Sequence, residues 1–120
     1  MKVVVTSTGE NLNSLVDQRF GRAAVFVMVD TGSGETTSED NAAGVNAAQG
    51  AGVQAAETVA RLGAKRLVTG HCGPKAFRTL EAAGIEVFTG ATGTVAEAVE
   101  QLEAGRLQRL TGPDRKGHWG

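Results

Sequence analysis

Val3-Val4-Val5 is an unbroken apolar triplet between Lys2 and Thr6. A run that does not alternate suits a strand covered on both faces. Residues 24–30, AVFVMVD, form a second strand-like run, rich in β-branched and aromatic side chains. Thr31-Gly32-Ser33-Gly34 reads as a turn. The polar stretch 35–40 after it predicts a hairpin whose third strand lies at an exposed edge. Residues 41–52, rich in Gly, Ala and Asn, read as a loop running into a helix. From Val53 the period becomes helical: Val53, Ala56, Val59, Ala60 and Gly63 share one face, while Gln54, Glu57 and Arg61 lie on others. Gly63 suits the stop.

Residues 65–69 predict a short strand, and Gly70-His71-Cys72-Gly73-Pro74 a turn. Pro74 fits the first position of a helix carrying Ala76, Phe77, Leu80 and Ala83 and ending at Gly84. Residues 85–88 predict the next strand. After a loop, Thr94 caps a last helix, with Glu97 reaching back. That helix carries Val95, Ala98, Val99 and Leu102 and ends by Gly105. Strands alternating with helices of this length imply right-handed crossovers and parallel pairing, to which the hairpin adds an antiparallel pair. The predicted fold class is α/β: a three-layer α/β/α sandwich around a mixed sheet of about five strands. Residues 1–105 form one domain, and 106–120 an extension with a polar tail.

Composition narrows the function. The chain has 120 residues, 41% hydrophobic and 21% charged, enough for one modest core. Gly (17) and Ala (18) stand in for aromatics, which are 4% of the chain, so a base-stacking surface is not expected. A net charge of -1 argues against a nucleic-acid binder. No apolar run approaches the roughly 20 residues of a membrane span, and the N-terminus lacks the features of a signal peptide. The single Cys72 cannot form an internal disulfide, which fits a reducing, cytoplasmic compartment. It also excludes an all-cysteine cluster site within one chain.

In an open α/β sheet, ligands bind beyond the carboxyl ends of the parallel strands. Three Gly-rich polar segments are expected there: 7–22, 41–52 and 70–74. His71 and Cys72 are adjacent candidate metal ligands at a helix start, where the dipole favours an anion. Two adjacent ligands cannot close a mononuclear site but can touch one corner of a prebuilt cluster. A tight turn with its Cys packed inward and its His solvated accounts for the same residues. Arg19, Phe20, Gly21 and Arg22 place two guanidinium groups around a Phe-Gly turn, a pattern suited to carboxylate, phosphate or an anionic cluster. A structural loop with Asp17 paired to an Arg and Phe20 plugging the core fits equally. Gly50 and Gly52 open a helix whose amides suit an anion, and glycines placed for close helix packing fit equally. They do not form a dinucleotide fingerprint, since Ala55 stands where the third Gly belongs, nor a P-loop. His118 beside Trp119 is a further imidazole, in the tail. A nucleophile elbow is missing, and so is an acid on the first strand that could serve two-metal nuclease chemistry.

Taken together, MKVVVTS, Asp17-Gln18-Arg19-Phe20-Gly21-Arg22-Ala23, Gln49-Gly50-Ala51-Gly52-Val53, and Thr69-Gly70-His71-Cys72-Gly73-Pro74-Lys75-Ala76-Phe77 followed by Leu80 and Ala83-Gly84-Ile85 resemble the dinitrogenase iron-molybdenum cofactor biosynthesis family. The resemblance covers roughly residues 1–102. It implies a ribonuclease H-like fold without nuclease activity, and a small carrier of an iron–sulfur cluster or an iron-molybdenum cofactor precursor. It joins the 70–74 turn and the Phe20-Gly21-Arg22 loop into one site. The His71-Cys72 pair departs from the Asn-rich turn common in that family.

The sequence thus predicts a non-enzymatic, cytoplasmic carrier, monomer or homodimer, working with a cofactor-assembly protein. Its expected cofactor-binding residues are Arg19, Phe20, Gly21, Arg22, Gly50, Gly52, His71, Cys72 and Gly73, with Cys72 and His71 as metal ligands. A phosphate-binding enzyme using the same cleft, or a dimeric interaction module, are the alternatives.

Overall fold

The fold was described from a computed structural model, which describes residues 1–111. Six strands form one sheet in the order β3-β2-β1-β4-β5-β6. β1 (Lys2–Ser7), β2 (Val25–Asp30) and β3 (Thr36–Asp40) make the antiparallel half, and β4 (Arg66–Val68) and β5 (Glu86–Thr89) run parallel to β1. The helices are α1 (Ala42–Val45), α2 (Ala51–Arg61), α3 (Pro74–Ala82) and α4 (Val95–Glu103).

The unbroken Val3-Val4-Val5 run is explained by burial from both sides. Val4 packs with Phe26, Leu67 and Val87 against Ala56 and Val59 of α2 and Phe77 and Leu80 of α3. Val3 and Val5 turn the other way and pack with Val27, Val29 and Val68 against Val95, Ala98 and Leu102 of α4. The sheet is therefore the middle layer of three, with period-2 alternation sorting each strand's side chains between two cores. β3 lies at the sheet edge and carries mostly exposed polar residues, as the hairpin reading expected.

Two elements differ from expectation. The sheet has six strands, not five: β6 (Gln108–Arg109) pairs antiparallel with β5. Two exposed polar residues show no period of their own. What docks them is the flanking pair Leu107 and Leu110, which pack into opposite cores. The extension after residue 105 thus begins by joining the sheet. Within 41–52 the chain also makes the short α1, and α2 starts at Ala51, ahead of the apolar period. His118 and Trp119 lie outside the described residues. No helix among the described residues is long and apolar enough to cross a membrane.

The helix starts differ in their capping. α4 carries a full capping box: Thr94 Oγ1 accepts from Glu97 N at 3.2 Å, and Glu97 Oε1 accepts from Thr94 N at 2.9 Å. α2 and α3 have no side-chain cap and no acidic residue in the first turn. Leu80 is fully buried on α3 between the sheet and α2. Leu80→Ala is expected to lower the unfolding free energy by about 3 kcal/mol, read as a fall in the urea midpoint at unchanged slope; a loss below about 1 kcal/mol would mean that the α3 face is not the core described.

Candidate functional site

The site lies at the carboxyl ends of β1 and β4, where the sheet changes from antiparallel to parallel pairing. Thr6 lies near the end of β1, and Thr69 follows β4; both are fully buried. Their hydroxyls share a hydrogen bond of 2.8 Å, and the Thr6 hydroxyl donates to the Asp17 carbonyl at 2.7 Å. Asp17 N donates back to the Thr6 carbonyl at 2.9 Å. Buried hydroxyls need such partners, so this cluster fixes where the chain turns after β1.

From that pin the chain runs through Arg19, which forms a parallel bridge with His71, and Phe20 N donates to the His71 carbonyl at 3.2 Å. The Asp17 carboxylate folds the loop onto itself. Its Oδ1 accepts from Arg19 N at 3.1 Å and lies 3.5 Å from Arg19 Nε, and its Oδ2 accepts from Ala24 N at 3.4 Å. Phe20 is buried and packs on Phe26 with ring centroids 6.1 Å apart. It plugs the core while its backbone forms the wall of the site. Gly70 must be glycine, because a Cβ there would sit 2.8 Å from Gln18 Cα.

These constraints leave a groove of about 730 Å³ lined by Arg19, Phe20, Gly21, Arg22, Ala51, Gly52, His71, Gly73, Pro74, Lys75 and Ala76. The three expected segments therefore meet. Gly21 and Gly52 are in near contact: a Cβ on Gly21 would lie 2.8 Å from Gly52 N. Gly50, expected in the site, is instead the N-cap of α2 just outside the lining, held at φ +75°, where a side chain would strain. Lys75 was missed because a lysine in the first turn of a helix carries no motif. Its spacing of two residues from Gly73 at a helix start was the available signal.

His71 is exposed and lines the groove, whereas Cys72 is only 8% exposed and packs in the α2–α3 core. The two adjacent side chains point apart, as neighbours in an extended turn do, so the groove receives only the imidazole. The Cys72 Sγ lies 3.7 Å from the Gly73 carbonyl, and burial pushes its pKa up from 9.0 to about 12. No group of three or more His, Cys, Asp or Glu side chains that could hold a metal ion occurs among the described residues. No carboxylate lines the groove. Arg19 is well exposed, with its side chain 69% accessible despite its contact with Asp17. The result is an electropositive groove under two helix starts with free backbone amides, which is anion-binding geometry.

The raised thiol pKa gives a signed expectation. Folding favours the protonated thiol, so its stabilising contribution holds below pH 9.0 and is lost as pH rises through about 12. Iodoacetamide labelling of Cys72 at mildly alkaline pH is expected to run on the order of a thousandfold slower in the folded chain than in urea. Equal rates would show that the thiol faces solvent.

Comparison with known proteins bears on the family and the fold. The family model of the dinitrogenase iron-molybdenum cofactor family matches residues 1–105. The apo form of the orange protein from Desulfovibrio gigas is similar, with 43% identity, a TM-score of 0.90, and coverage of 95% of this chain and 96% of that one. A Thermotoga structure named as a candidate NifB protein has 36% identity and a TM-score of 0.81, covering 97% and 98% of the two chains. An uncharacterised protein of Methanocaldococcus jannaschii is 27% identical over 101 residues, covering 82% of this chain and 85% of that protein. The chain belongs to the dinitrogenase iron-molybdenum cofactor family.

Proposed function

We propose that the protein binds and carries an anionic iron–sulfur cluster or iron-molybdenum cofactor precursor in this groove, without catalysing a reaction on it. The observation that supports this best is the convergence of two uncapped helix starts, α2 and α3, with Arg19, Arg22 and Lys75, in a lining free of carboxylates. Each uncapped start leaves backbone N–H groups without partners, and their partial charge favours an anion. Arg19 and Lys75 add full charges at the rim.

Family membership supports a link to iron-molybdenum cofactor chemistry, and a relative at 43% identity has been solved in an apo form, a description that implies a ligand-bearing counterpart. The strand order, with β2 alone antiparallel to its neighbours within the first five strands, fits the ribonuclease H-like architecture that goes with this reading. Of the two expected metal ligands, His71 meets the cargo directly. Cys72 becomes a ligand only when the 70–73 turn rotates its thiol outward. A hold built on charge and amides rather than on several coordinate bonds suits a carrier, whose cargo must leave as well as enter. The compartment in this reading is the cytoplasm, and the partner is a cofactor-assembly protein.

Anaerobic reconstitution with ferrous iron and sulfide, followed by desalting and visible absorbance, tests it. The wild type retains a chromophore; Arg19→Gln and Lys75→Gln each weaken retention about tenfold, the effect of losing one charge-assisted hydrogen bond of about 1.5 kcal/mol. Cys72→Ala retains most of it. No retained chromophore in the wild type, or full retention in the Arg19→Gln/Lys75→Gln double variant, would contradict the reading. The same amides and cations suit a phosphoester, and a metal-independent thermal shift with phosphoesters would favour that second reading.

A further inference from the structure

Arg22 lines the groove, yet it also bonds away from it. Its Nη1 donates to the carbonyls of Gly44 (3.5 Å), Val45 (3.1 Å) and Ala47 (2.9 Å), at the C-terminal end of α1. The Gly44 carbonyl also accepts from Ala47 N at 3.3 Å, and Arg22 adds a side-chain donor at a helix end, where carbonyls run short of backbone partners. The same segment is held to the groove wall a second time. Asn41 Nδ2 donates to the carbonyls of Gly21 (3.1 Å) and Ala23 (2.8 Å). Gly44 closes the contact, since a Cβ on it would lie 2.5 Å from the Gly21 carbonyl oxygen. Residues 21–22 of the wall and residues 41–47 are thus one unit, joined by two side chains and a close backbone contact.

That unit is incompletely satisfied. Asn41 Oδ1 is buried without a hydrogen-bond partner among the described residues, and α1 has no side-chain cap. The segment packs on α2 and Asn41 N donates to the Ala24 carbonyl at 3.0 Å, but its side-chain hold runs to the wall, so what stiffens the wall stiffens the segment. A guanidinium is a planar fork of five N–H donors. With Nη1 on the α1 carbonyls, Nε and Nη2 remain for an anion. An anion that fixes the plane of the fork also fixes the Nη1 bonds to Val45 and Ala47. A lysine ammonium, a single point of charge, cannot hold both at once.

We propose that Arg22 is a positioning residue coupling occupancy of the groove to order in the 42–50 segment, which acts as a clasp that tightens on the cargo. The proposal rests on the reading of the groove as an anion site. Coupling is reciprocal: what weakens the clasp also weakens the cargo by the same factor.

Amide hydrogen exchange of the full chain, with and without anaerobic loading by ferrous iron and sulfide, tests it. In the wild type, amides in 44–50 exchange roughly tenfold slower when loaded. In Arg22→Lys, charge is kept and cargo still binds, several-fold more weakly, but the slowing disappears. Asn41→Ser, at a residue outside the groove lining, also loses affinity; should it fail to fold, Arg22→Lys carries the test. Loading that leaves 44–50 unchanged in the wild type, or slows it equally in Arg22→Lys, overturns the coupling and leaves the groove reading standing. A wild type that takes up no iron and sulfide overturns both.

Discussion

Everything at the groove depends on the hold between the loop after β1 and the turn after β4. Two buried threonine hydroxyls and the Asp17 carbonyl make it at the base, and the Arg19–His71 bridge extends it upward. Both threonines sit in a dry layer between strands, where an unpaired hydroxyl would be costly. The polar cluster therefore has few alternatives, and it sets where Arg19, Phe20 and Gly21 can be. Phe20 and Cys72 then anchor the two segments in the same core from above. Of the lining, Phe20 and Ala76 are buried in the core and tie the groove to it.

Given that frame, the electrostatics follow from what the helix starts lack. α4, far from the groove lining, spends two side chains satisfying its own first turn. α2 and α3 spend none, and open instead with glycine N-caps, Gly50 and Gly73. A glycine cap leaves amides exposed and lets a ligand approach the backbone closely. No carboxylate lines the groove, and the Asp17 carboxylate behind it engages the Arg19 side chain only through Nε, at 3.5 Å, with that side chain 69% accessible. The excess of positive charge in the lining is what the proposed binding role rests on.

Much of this was legible in the sequence, and the exceptions have physical reasons. Continuous apolar runs marked β1 and β2 because the sheet is covered on both faces. Thr94 and Glu97 announced the start of α4 because a capping box is a local device. Gly-rich segments at strand ends located the groove, with Arg19, Gly21, Arg22, Gly52, His71 and Gly73 all in its lining. β6 was invisible because two polar residues owe their pairing to leucines outside the strand. α1 was invisible because its hold comes from Arg22, distant in sequence, and from the reach of Asn41 back to Gly21 and Ala23. The inward turn of Cys72 was legible only as one of two readings: adjacent residues in a turn diverge, but which one faces the core is settled by α2 and α3 packing over it.

The most direct measurement is a crystal structure of the protein after anaerobic loading with iron and sulfide, with iron located by anomalous scattering. Iron is expected in the groove between the α2 and α3 starts, in contact range of His71 and flanked by Arg19 and Lys75. Iron found away from that groove, or ordered iron nowhere in a loaded crystal, would contradict it.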